Sequence, residues 1–120
     1  MFGVEMDMDM SGQTEADVQI LYCTAADQQQ ALAIGQSLVD ARLAACVNIL
    51  GPMTSIYRWE DKTEASAEVA FIVKTTAKCV DLAISLIKNM HSYELPCIVT
   101  VSVSGGCGDF LSWVRQSVAR

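Results

Sequence analysis

A chain of 120 residues has room for one domain, and 52% hydrophobic against 18% charged residues suit a packed core, not a disordered chain. The formal net charge is −6, with only eight Lys and Arg and none before Arg42. That balance argues against nucleic acid as a partner, because phosphate binding draws its affinity from basic side chains. No apolar run reaches the length of a membrane span, and the first 17 residues lack the basic start and apolar stretch of a secretory signal. The expected location is therefore the cytoplasm, where the five cysteines would be free thiols.

Residues 1–17 read as a flexible acidic tail. They hold five acids, no basic residue and the run Met6-Asp7-Met8-Asp9-Met10. Residues 18–120 form the domain. The first strand is Val18-Gln19-Ile20-Leu21-Tyr22-Cys23, short and apolar. Asp27 and Gln30 have capping-box spacing, and Leu32, Gly35, Leu38, Val39 and Leu43 follow at helical intervals. Residues 46–50 make a second strand, which Gly51-Pro52 interrupts and residues 54–59 resume, the pattern of a bulge. Glu60-Asp61-Lys62 turns the chain into a third strand at 67–74, giving a long hairpin.

Thr76 is placed to cap a second helix whose Val80, Ala83, Ile87 and Met90 mark a buried stripe. A loop at 91–95 leads to Pro96, which opens a strand with Cys97, Val99, Val101 and Val103 on one face. Gly105-Gly106-Cys107-Gly108 ends that strand, and Asp109 is placed to cap a short last helix. Two right-handed crossovers joined by a hairpin give an α+β, ferredoxin-like βαββαβ fold: an antiparallel sheet in the order 4-1-3-2 with a short C-terminal helix.

No catalytic residue is assigned. The glycine run lacks the lysine of a phosphate loop, and no third residue is indicated for a triad built on His91, the only histidine. Topology makes a different pair of interest. Cys23 ends the first strand, and His91 precedes the fourth, which runs antiparallel beside it. Thiolate and imidazole suit soft and borderline ions, and Met90 and Glu94 flank the histidine. Cys23, His91 and Met90 are thus candidate metal ligands. The competing reading is a small buried cysteine and a loop histidine bonded to backbone. Cys46 starts a strand at the far end of the sheet and would join such a site only across a subunit boundary. Cys79 and Cys107 read as structural or surface residues, and Cys97 belongs to its valine face. Tyr57 and Trp59, near the tip of a hairpin that outruns the sheet, read as an oligomer contact.

Six blocks taken together resemble the CutA family of divalent-cation tolerance proteins: Cys23-Thr24-Ala25, Leu43 to Asn48, Tyr57 to Lys62, Glu68-Val69 running to Lys74-Thr75, His91 to Pro96, and Phe110 to Trp113. They fall in order from Val18 onward. The resemblance implies a ferredoxin-like protomer in a homotrimer, no organic cofactor, and a non-enzymatic role in tolerance of copper or another divalent metal ion, with a metal proposal mapping onto Cys23 and His91. The chain departs from the family pattern at Asp61 (commonly glycine), Ser92 (proline), Met90 (histidine in some relatives) and Cys97 (glutamate). Sulfur thus replaces imidazole and carboxylate, a bias toward Cu(I). The PII signalling proteins share the protomer fold and bind anions between subunits. Lys74, Arg58 and Lys62 would serve such a cleft. A plain trimeric scaffold is the third reading.

Overall fold

The computed structural model describes residues 17–119, so the acidic tail, apart from Asp17, lies outside the described residues. The elements run β1 (Val18–Ala25), α1 (Gln28–Asp40), β2 (Cys46–Trp59), β3 (Lys62–Thr76), a 3-10 turn (Ala77–Cys79), α2 (Val80–Met90), β4 (Ile98–Ser102) and α3 (Gly108–Ser117). One sheet orders its strands β2-β3-β1-β4, every pairing antiparallel, which is the expected order read from the other edge.

Helix α1 begins where the capping spacing put it. The Asp27 carboxylate accepts the Gln30 N–H at 2.8 Å, and Gln30 Oε1 accepts the Ala26 N–H at 3.1 Å. The buried stripe keeps Gly35 and Leu38 of the expected one but is rotated toward Ala31 and Ile34. Ala31, Ile34, Gly35 and Leu38 face the sheet, whereas Leu32 and Val39 are exposed. Gly35 explains this rotation: a Cβ there would meet Val47 Cγ1 at 3.1 Å, so the helix rests on β2 through its glycine. In α2 the stripe is Ala83 and Ile87, with Met90 exposed.

Two expected caps are absent. Thr76 makes no side-chain cap, and the 3-10 turn precedes α2 instead. Asp109 lies inside the first turn of α3, where its charge suits the helix dipole, and Cys107 is the residue at the cap. Strand β4 starts at Ile98, not Pro96, since proline offers no N–H to the ladder.

Register decides which side chains meet. Leu21, Cys23 and Ala25 share a face with Val69, Phe71 and Val73, and α1 and α2 close that face into the main core. On the other face, Ile20 and Tyr22 stand beside Val101 and Val99. The ladder slips between Ile49 and Gly51, leaving Leu50 as the extra residue of a bulge, with Gly51 at φ 112°. The slip exchanges the faces of β2. Before it Cys46 and Asn48 lie on the open face; after it Met53, Tyr57 and Trp59 do. At the hairpin tip Glu60 and Asp61 both have positive φ, 48° and 67°, as a type I′ turn requires.

Helix α3 covers only the Val18 end of the open face, packing Val114 and Val118 on Val18, Ala45 and Cys79. Arg42 holds that end. It sits at φ 61° just past α1, its guanidinium donates to the Gln116 and Ser117 carbonyls, and its own carbonyl accepts the Ala119 N–H at 2.8 Å.

Candidate functional site

The chemistry-bearing residues gather where β1 ends and the α2–β4 loop returns. Topology does bring His91 to the end of β1, but the ring bonds to backbone. Its Nε2 lies 2.7 Å from the Thr24 carbonyl oxygen, and the Tyr93 N–H donates to Nδ1 at 3.1 Å. These partners assign the tautomer: Nδ1 accepts, so the proton sits on Nε2 and is donated to Thr24. The His91 and Tyr93 rings stack at 4.8 Å, tilted by 53°.

Cys23 points the other way, into the helix-covered core, and its exposure is 0%. Burial, with a smaller contribution from nearby Cys97, pushes its thiol up to about 12, so it stays protonated at neutral pH. Met90 lines an open groove of about 290 Å³ with Asp27, Gln29, Gln30, Ala33 and Ile34, on the helix layer. The residue set therefore does not fit a metal ion as it stands: neither ring nitrogen of His91 offers a free lone pair, and the Cys23 thiol is sealed and protonated. Among the described residues no group of three or more His, Cys, Asp or Glu side chains is placed to hold a metal ion.

Of the residues that make up the rim, sequence reasoning weighed Cys97, as a member of a valine face and as a departure from the family pattern, and passed over Thr24, Glu68 and Tyr93. Cys97 is half-buried. Its thiol is pushed up by burial and by the Glu68 carboxylate, and a hydrogen bond with Thr24 partly offsets this. The Tyr93 phenol is likewise raised, first by burial and then by its hydrogen bond to Glu68. Thr24 and Tyr93 lay within the blocks that carried the resemblance, but nothing in their spacing announced these contacts.

The other thiols are dispersed. Cys46 pairs with Lys74 and its S–H donates to Asn48 Oδ1 at 3.7 Å, on the open face. Cys79 is buried with its S–H toward the Ala119 carbonyl, and Cys107 is exposed. The basic residues weighed for an anion cleft are also apart. Lys62 and Lys74 sit at opposite ends of β3, about 40 Å apart at the usual rise per residue, and Arg58 is near Lys62. Lys74 lies over the Phe110 ring at 5.4 Å. The chain does not gather the three.

Known proteins place this arrangement. The family model described as CutA1 divalent ion tolerance protein matches residues 19–117. The divalent-cation tolerance protein CutA of Pectobacterium atrosepticum is 35% identical over 109 residues, covering 91% of this chain and 99% of that protein. The protein of the same description from Archaeoglobus fulgidus is 40% identical over 98 residues, 82% of this chain and 95% of its own length. The crystal structure of CutA from Xylella fastidiosa superposes with a TM-score of 0.84 at 37% identity, over 86% of this chain and 99% of that one. Identity at this level over nearly the whole domain, on the same fold, goes beyond a shared architecture. The chain belongs to the CutA family of divalent-cation tolerance proteins.

Proposed function

We propose that this protein acts in the cytoplasm as a homotrimer that binds copper, or a similar soft ion, without turnover. The observation that supports the assembly is the open sheet face. Val99 and Val101 are 52% and 51% exposed there, and Tyr57 and Trp59 extend the apolar surface along the hairpin. The hairpin stretches the chain to 54 Å in one direction against 27 and 22 Å in the others. An apolar face of this kind on a drawn-out protomer calls for a partner, and three copies related by a closed rotation leave no strand edge free.

For the ion, the thiols within reach of solvent are Cys97 and Cys46, half-buried, and Cys107, exposed. Thiolates select Cu(I) over harder ions. Among the described residues no helix is long and apolar enough to cross a membrane. The test is anaerobic titration with Cu(I), Cu(II) and Zn(II), beside a nucleotide screen. Stoichiometric Cu(I) uptake that weakens in Cys97→Ser, with no saturable nucleotide binding, is the expected result. Saturable nucleotide binding with no ion uptake would move the protein to the sensor reading.

A further inference from the structure

We propose that His91 is a latch that fastens the α2–β4 loop to the sheet, and that Cys23, His91 and Met90 are not a metal site of the folded protomer. An imidazole has one in-plane bonding position at each nitrogen. Here both are filled, by the Tyr93 N–H at Nδ1 and the Thr24 carbonyl at Nε2. A metal ligand offers one nitrogen as a lone pair and uses the other for a supporting hydrogen bond. His91 spends both on backbone.

The two backbone bonds have a structural result. The Nε2 bond ties the loop to β1 immediately beside Cys23, the Nδ1 bond holds the loop to itself, and the Tyr93 phenol interacts with the Glu68 carboxylate of β3. The chain then enters β4 with Thr24 N–H reaching the Cys97 carbonyl and Cys23 opposite Ile98. A one-residue slip at this point would exchange the two faces of β4. The latch thus sits where the register of β4 begins, while Cys23, paired with Phe71, lies on the covered face in one cluster with Leu21, Ile34, Leu38, Phe71 and Ile87. For an ion to reach both Cys23 and His91, the loop bonds and the core packing would have to be given up together.

This inference does not rest on the copper reading, and one experiment separates them. Long-range proton–nitrogen NMR of the imidazole in the full-length protein at pH 7.5 should show the Nε2–H tautomer. The signals should hold still on adding one Zn(II) or Cu(I) per chain. His91→Ala should lower Tm by roughly 5–10 °C, since two buried-side hydrogen bonds are lost. His91→Gln, whose amide N–H can still donate to Thr24, should recover part of that loss and keeps the test usable if the alanine variant fails to fold. Ion affinity in His91→Gln should stay within about twofold of the parent, a margin well under 1.4 kcal/mol. A ring-nitrogen signal that moves on ion addition, or a tenfold loss of affinity in His91→Gln, overturns the latch. A protein that takes up no ion at all, with the tautomer as stated, agrees with the latch and removes only the copper reading.

Discussion

The two faces of the sheet are built from alternate residues of the same strands, yet they are finished in opposite ways. On the covered face Leu21, Cys23, Phe71 and Val73 are shut from solvent by α1 and α2. On the open face Ile20, Tyr22, Ile72, Val99 and Val101 have the same apolar character, but only α3 approaches, and only at the Val18 end. The chain thus completes one core and leaves the other face largely open, the face that the proposed assembly would cover. The bulge at Leu50 gives the aromatics to the open side, since without the slip Tyr57 and Trp59 would fall on the covered one.

Substitution should separate the faces most sharply at Phe71. Phe71→Ala removes the largest fully buried side chain and should cost about 3–5 kcal/mol in urea unfolding at any protein concentration. Val99→Ala should instead show a loss that depends on protein concentration if, as proposed, another copy covers this exposed face. Equal, concentration-independent losses at both positions would erase the distinction.

Alkaline pH should pick out the covered face again. The Cys23 thiol is raised from 9.0 to about 12 in the folded chain, by burial first. Between those pH values the unfolded chain has released this proton and the folded chain keeps it, so stability falls as pH rises. For a rise of that size the loss is at most ~4 kcal/mol. Urea unfolding from pH 7 to 11 should show a shallower fall in Cys23→Ala than in the parent. A parallel fall would mean that Cys23 is not sealed. Cys97→Ser at the open rim should flatten the curve less, since its thiol is only partly buried and the Thr24 hydrogen bond offsets the rise.

A smaller effect tests the frame that both faces share. Asp27→Ala removes the side-chain cap of α1 and should cost about 1 kcal/mol, read as a lower urea midpoint with an unchanged slope. No change would mean that the α1 terminus contributes nothing to holding the covered face.

Much of this fold was legible in the sequence. Local chemistry announced the capping box at Asp27 and Gln30, the bulge near Gly51 and the turn at Glu60-Asp61, because each is set by residues a few positions apart, and the rules of crossover topology gave the strand order. The face of α1 was legible in part: Gly35 and Leu38 are buried as expected, but Ala31 and Ile34 complete the stripe in place of Leu32 and Val39, a rotation that the close approach of Gly35 to Val47 fixes. The nearness of His91 to the end of β1 followed from topology. What its nitrogens bond did not, since backbone partners in a loop leave no periodicity to read.

The central claim is that the open face is closed by further copies of this chain, and its most direct test is the molar mass in solution. Light scattering on a sizing column at micromolar concentration should return three times the 13.0 kDa chain mass. A Tyr57→Ala, Trp59→Ala double variant should keep its far-ultraviolet circular dichroism and shift toward the single-chain mass. A parent protein that elutes with the mass of one chain at that concentration would contradict the account.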